Sequence, residues 1–177
     1  MNHRIFFGLA LPVRIKNELA SLQFDDATFV RQSFSNLHIT VCFVGAVTPE
    51  KFLRLCLSAL NPTVSCFQLR FGRIAVFPLA HAHNSVCVSV EPDDKLIQLR
   101  SDVRKLLGEC SIRTAHVDYK PHVTLGWTGK SQPDVINSCL GGAEIICEPV
   151  LVDHLSVFES FGVGKEKVYR RIKDIPL

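Results

Sequence analysis

The sequence predicts an α+β protein with mainly antiparallel sheets, and three patterns carry that expectation. Several runs, among them Leu37–Val44 and Pro121–Trp127, alternate with the two-residue period of a half-buried strand. Segments opened by Pro12 and Pro92 repeat apolar residues every three to four positions, the period of a helix with one buried face. Strand runs separated by such helices belong to a layered α+β arrangement.

Taken in order, residues 4–9 (RIFFGL) read as a first strand, followed by a helix from Pro12 that buries Ile15, Leu19 and Leu22. A polar patch leads into the strand Leu37–Val44, where Leu37, Ile39, Val41 and Phe43 form the apolar face and Gly45 ends the run. Thr48 caps a second helix with Pro49 in its first turn and Phe52, Leu55, Cys56 and Leu60 inside. Val64–Phe77 is rich in β-branched and aromatic residues, with a break expected at Gly72. Pro78–Asn84 reads as a loop and Ser85–Val90 as a strand. The helix from Pro92 places Leu96, Leu99, Val103 and Leu106 inward and leaves Arg100, Arg104 and Lys105 mostly outside. A strand at Pro121–Trp127, a short helix at Pro133–Leu140 and two strands, Val150–Phe158 and Lys167–Ile172, complete the chain.

Composition narrows the function classes. With 177 residues, 47% of them hydrophobic, the chain can bury a core without metals or disulfides, and wholesale disorder is excluded. No run of about 18 apolar residues is present, so no membrane span is expected. The apolar start, Met1–Val13, contains Arg4, Gly8 and Pro12 and reads as a strand, not a secretion signal. A net charge of +3 without any like-charge block argues against a tail-driven nucleic-acid binder. The seven cysteines are odd in number and form no C-x-x-C pair. They read as small core residues in a reducing compartment, which points to the cytoplasm and away from zinc.

One pattern carries chemistry. His38-Ile39-Thr40-Val41 and His122-Val123-Thr124-Leu125 repeat the order His-apolar-Thr-apolar, although composition alone predicts well under one His-x-Thr triplet. Strand residues two apart share a face, so each copy presents one imidazole and one hydroxyl while its apolar pair faces the core. Brought together across a groove, the two copies suit metal-free phosphoryl transfer. A neutral imidazole takes a proton from the attacking oxygen, a protonated one gives a proton to the leaving oxygen, and the hydroxyls bind non-bridging oxygens. For a single copy the plainer interpretation is a polar strand face; duplication in matching contexts favours the catalytic one. A metal site is the weaker alternative, because no carboxylate lies at ligand spacing.

These motifs and their context resemble the two-histidine (2H) phosphoesterases, and within them the LigT-like RNA 2′,3′-cyclic phosphodiesterases of the 2′-5′ RNA ligase family. The similarity covers RIFFGLALP at Arg4–Pro12, NLHITVCFVGAV at Asn36–Val47, LIQLRSDV at Leu96–Val103, YKPHVTLG at Tyr119–Gly126 and the closing segment Val157–Leu177. The resemblance implies a single domain, 1–177, made of two interleaved lobes related by a pseudo-twofold. Each lobe would carry an antiparallel sheet with helices outside, the cleft lying between them. It implies cofactor-free hydrolysis of a terminal RNA 2′,3′-cyclic phosphate to a 2′-phosphate by a monomer. In it His38 is the proton donor, His122 the proton acceptor, and Thr40 and Thr124 bind the phosphate. Alternatives are a 2H phosphodiesterase for 2′-5′ oligonucleotides or ADP-ribose cyclic phosphate, 2′-5′ RNA ligation, and a non-catalytic RNA-binding module.

Two departures from the family stand out. Trp127 occupies a position where many relatives carry Arg, and Ile175 replaces a Trp common before the terminal Pro-Leu. Trp127 offers either a base-stacking surface or packing at a strand end, and Lys120 a cation two residues before His122 whose plainer place is a solvated face; both are candidate substrate contacts. Phe6, Phe7, Phe43 and Phe77 are assigned to the core, with stacking on a base from the cleft rim as the alternative for any one of them. Arg70, Arg73, Arg170 and Arg171 are assigned to a solvated face, with contact to an RNA backbone as the alternative, and His81 and His83 to a surface loop in preference to a metal site.

Overall fold

The computed structural model describes residues 2–23, 28–58, 60–78, 83–91, 93–115, 118–129, 148–162 and 167–177. In chain order they form β1 (His3–Ala10), α1 (Val13–Ser21), β2 (Val30–Arg31), a 3-10 turn (Phe34–Asn36), β3 (His38–Val47), α2 (Pro49–Leu57) and β4 (Phe67–Leu69). There follow β5 (Phe71–Pro78), β6 (His83–Val90), α3 (Asp94–Glu109), β7 (His122–Gly129), β8 (Val150–Val152), β9 (His154–Phe161) and β10 (Val168–Pro176). The expected helix at Pro133–Leu140 lies outside the described residues.

Two four-stranded antiparallel sheets organise the molecule. One runs β10-β9-β1-β3 and the other β2-β7-β6-β5, while β4 and β8 pair separately. Each sheet holds one of the two motif strands beside an antiparallel partner, β1 for β3 and β6 for β7. The sheets draw their strands from interleaved stretches of the chain. Ile39 and Val41 on one sheet and Val123 and Leu125 on the other are 0% exposed and enter one apolar core. Burying each such side chain stabilises the fold by about 1.5–3 kcal/mol and fixes which way the intervening His and Thr point.

Local chemistry sets the helix limits. Thr48 Oγ1 accepts from the Lys51 amide at 3.4 Å, and Pro49 occupies the first turn of α2. That helix ends at Leu57, so Leu60 lies beyond it, and of the expected stripe only Leu55 is fully buried. Asp93 is the N-cap of α3, whose first residue is Asp94: its Oδ1 accepts from the amides of Lys95 at 2.8 Å and Leu96 at 3.1 Å, while the expected opening residue Pro92 lies outside the described residues. Leu96, Leu99, Val103 and Leu106 face inward as expected.

Several strand limits differ from the expectation. Gly45 does not end β3: it takes φ +86°, a left-handed conformation glycine tolerates, and the strand continues to Val47. The apolar run 64–77 divides at Arg70, not Gly72, because β4 and β5 join different sheets. Asp153 likewise separates β8 from β9, and the last strand extends to Pro176. The expected loop Pro78–Asn84 is shorter, since Pro78 ends β5 and His83 and Asn84 pair with Gly129 and Thr128. Residues 79–82, including His81, lie outside the described set.

Candidate active site

The two sheets bring the paired motifs together. His38, Thr40, His122 and Thr124 all line one cavity of about 140 Å³, with Arg4, Phe6, Gln32, Phe43, Trp127, Ser160, Lys167 and Tyr169. Each imidazole is oriented the same way. His38 Nδ1–H donates to the carbonyl of Asn36 at 2.6 Å, and His122 Nδ1–H to the carbonyl of Lys120 at 2.7 Å. In both, a backbone carbonyl two residues earlier fixes the tautomer and assigns the lone pair of the neutral ring to Nε2. Asn36 itself is buried and anchored, its Nδ2 donating to Lys167 O at 2.7 Å and its Oδ1 accepting from the Tyr169 amide at 3.1 Å.

The two threonines are held differently. Thr40 Oγ1 lies 3.0 Å from His38 Nε2. Thr124 Oγ1 lies 3.7 Å from the Sγ of Cys87, which is itself 3.1 Å from Ser85 Oγ. Burial pushes the Cys87 thiol up, so it stays protonated.

The imidazoles also differ in surroundings. Phe6, Tyr169 and Phe158 surround His38 at ring-centroid distances of 4.8, 5.2 and 5.8 Å. Burial, and to a smaller extent the charges of His122 and Lys16, hold its pKa down at about 4 against the opposing bond to Asn36. His122 meets a single described aromatic neighbour, Phe77, at 5.2 Å.

A repeated irregularity shapes the rest of the cleft. In β3 the register passes from Gly8↔Thr40 to Phe7↔Cys42, leaving Val41 without a partner. In β7 it passes from Cys87↔Thr124 to Val86↔Gly126, leaving Leu125 without one. Each bulge sits three residues after its histidine and reverses the inside–outside alternation beyond it. Phe43 and Trp127, each five residues after its histidine, are thereby turned to the cleft. Phe43 is 53% exposed, which corrects its assignment to the core. Arg4 lies over its ring at 5.4 Å.

A second cavity, about 450 Å³, adjoins the first and shares Thr40, Phe43 and His122 with it. Lys120 lines this one and not the smaller one, and lies 3.6 Å from Asp118. Arg100 and Arg104 also line it, so they face a cavity rather than open solvent. Phe77 lines it as well and is half-buried, not a core residue. Arg70, Arg73, Arg170 and Arg171 line neither cavity. Sequence reasoning did not single out Arg4, Gln32, Lys167 or Arg104 for the site; each reaches it from another element, without a local pattern. Tyr119 was visible only as a neighbour of the second motif. Its hydroxyl donates to Thr40 O at 3.0 Å, joining the entrance of β7 to β3.

Two interleaved antiparallel sheets, each offering a His-x-Thr strand to a shared cleft, define the LigT-like 2H phosphoesterase fold. A family model described as the 2′-5′ RNA ligase superfamily matches residues 11–159, and the chain belongs to that superfamily. An RNA 2′,3′-cyclic phosphodiesterase of Archaeoglobus fulgidus is 30% identical over 100 residues, 56% of each chain. One of Methanocaldococcus jannaschii is 25% identical over 70% of each chain. One of Geobacillus stearothermophilus is 25% identical over 79% of this chain and 45% of its own. Two of these three matches thus span less than two thirds of the relative's length. Among solved structures, Escherichia coli LigT complexed with 3′-AMP aligns at a TM-score of 0.71 and 20% identity, covering 100% of this chain and 99% of its own. TT0787 of Thermus thermophilus aligns at 0.66 and 22%, covering 98% and 97%. No helix of the described residues is long and apolar enough to cross a membrane.

Proposed function

We propose that the chain hydrolyses the 2′,3′-cyclic phosphate at an RNA end to a 2′-phosphate, using its two histidines as a metal-independent acid–base pair. The convergence of both motifs on one cavity, with both Nδ1 atoms held by backbone carbonyls, carries this reading. The names of the sequence relatives support the substrate. Water attacks phosphorus as His122 Nε2 takes its proton. The bond from phosphorus to the 3′ oxygen breaks, and His38 Nε2–H protonates that oxygen, leaving a 3′-hydroxyl and a 2′-phosphate. Thr40 and Thr124 donate to the non-bridging oxygens, and Trp127 offers a stacking face to the base. Because burial keeps His38 neutral in the free protein at pH 7, the acid form depends on the substrate: the bound phosphate anion raises its proton affinity.

We further take residues 1–177 as one domain of two lobes, monomeric and cytoplasmic; the unpaired described cysteines support a reducing environment. The test is turnover of RNA ending in a 2′,3′-cyclic phosphate, with and without EDTA, and identification of the product. A 2′-phosphate, formed equally in chelator and lost in both His38→Ala and His122→Ala, is the expected result. Full activity in either folded variant excludes the mechanism. RNA binding without turnover points to a binding module, and joining of RNA halves to a ligase.

A further inference from the structure

We propose that Gln32 is a further catalytic residue, whose side-chain amide donates a hydrogen bond to a non-bridging oxygen of the reacting phosphate beside Thr124. The inference rests on the activity proposed above and adds a ligand to the same phosphate. Gln32 is 8% exposed, yet it lines the cavity that holds both histidines. Burying an amide costs free energy that an apolar side chain would not incur, so its place against the reacting atoms calls for a chemical reason. Strand pairing sets where it lies. Val30 faces Trp127 in the register of β2 and β7, and the backbone amide of Gln32, two residues on, donates to the carbonyl of Leu125 at 2.8 Å. Residues two apart in extended chain share a face, so Gln32 joins Trp127 on the cleft side, level with the residue that follows Thr124.

The residue is held in place before any substrate arrives. Gln23 Nε2 donates to Gln32 O at 2.8 Å and to Leu125 O at 2.9 Å, clamping this stretch of backbone to β7. Gln32 Oε1 accepts from the Ser33 amide at 3.2 Å, which commits the carbonyl end to the backbone and makes Nε2–H₂ the end offered to an anion. The two walls of the cavity then complement each other. Arg4 of β1 and Lys167, just before β10, bring cations from the side of the first sheet. On the side of the second, Trp127 brings an aromatic ring without charge, and Gln32 brings the amide. A cation there would oppose the positive charge that His122 takes on with the proton of water, whereas a neutral amide binds the phosphate oxygen without that penalty. None of the described residues lining the cavity carries a carboxylate to compete for these donors.

Turnover and inorganic phosphate binding are measured in Gln32→Met, which keeps the length without the amide. Gln32→Glu, which keeps the acceptor for Ser33 and loses the donor, serves alongside it and replaces it if the first does not fold. Losing a hydrogen bond to an anion is expected to lower kcat/KM by about 10–100-fold and to weaken phosphate binding, more in Gln32→Glu, whose carboxylate repels the ligand. The two diastereomers of a nucleoside 2′,3′-cyclic phosphorothioate separate a contact from a structural effect. Sulfur is a weak acceptor, so a lost donor affects the two diastereomers unequally, and the ratio of their rates shifts several-fold in the variant. Gln68→Met, on β4 and lining neither cavity, leaves all three readouts unchanged. Wild-type phosphate affinity in a folded variant, or equal slowing of both diastereomers, overturns the proposal. If no cyclic phosphate is turned over, the activity proposed above falls, and the phosphate-binding comparison alone decides the role of Gln32. Turnover with phosphate affinity unmoved by either variant does the reverse.

Discussion

His38 and His122 share an orienting hydrogen bond but not an environment, and the difference is measurable. The folded pKa of His38, about 4, lies below the unfolded value of about 6.5. Between those values the unfolded chain binds more protons, so stability falls as pH drops through the window, by up to about 1.4 kcal/mol per pH unit. Denaturant unfolding at pH 7, 6 and 5 is expected to show a larger loss in the wild type than in His38→Gln. Saturating inorganic phosphate raises the pKa of His38 in an NMR titration; an unmoved titration removes the acid role proposed for it. Cys87→Val deprives Thr124 of its thiol neighbour, a weak hydrogen-bonding contact at 3.7 Å. The expected result is a several-fold loss in kcat/KM, expressed mainly in KM, with Cys87→Ser restoring it. The four motif residues were legible because a duplicated pattern on a two-residue period fixes a face. The thiol behind Thr124 was not, because Cys87 meets it only through strand pairing, and no spacing records a cross-strand neighbour.

At the scale of elements, the bulges in β3 and β7 decide what the cleft contains. Their strands were readable from alternation, but one unpaired residue reverses the side chains that directly follow it, and β3 shifts register again at Val44, with no sequence mark of either shift. Phe43 was therefore placed inside by periodicity and is turned out by geometry. Close approach between strands is a further constraint. A Cβ on Gly8 of β1 would lie 2.8 Å from Ile39 O and 3.4 Å from His38 Cδ2. Backbone must move to admit it, and the backbone concerned carries the first histidine. Gly8→Ala is expected to lower stability by about 1–3 kcal/mol and to reduce turnover in the fraction that folds, measured by unfolding and by active-site-normalised rates. Unchanged activity and stability would show that β3 is free to shift. The caps at Thr48 and Asp93 set helix starts by local hydrogen bonds, so the starts of α2 and α3 were close to the expectation. The split at Arg70 was not seen because it depends on which sheet each half joins.

Across the whole molecule, the site exists only where the two sheets meet, and Tyr119 is one of the contacts that sets their spacing. Burial pushes the Tyr119 hydroxyl well above its usual range, so it remains a donor to Thr40 O at all working pH values. Tyr119→Phe is expected to cost about 1 kcal/mol in stability and to impair the chemical step more than it impairs folding. A fall in stability with kcat unchanged would reduce Tyr119 to a packing residue. The α+β class and the pairing of the motifs were readable from the chain. The strand order β10-β9-β1-β3 was not, because it joins segments more than 140 residues apart by hydrogen bonds that leave no local period. Among the described residues, that order leaves β3 at one edge of its sheet and β10 at the other. A border strand is a template on which a stray strand can zip, and fusion there would seal the cleft and seed insoluble association. The irregular register of β3, its left-handed Gly45 and the Tyr119 hydroxyl occupying the Thr40 carbonyl all spoil that template. The opening that admits substrate is thus bordered by a strand edge built to resist self-assembly.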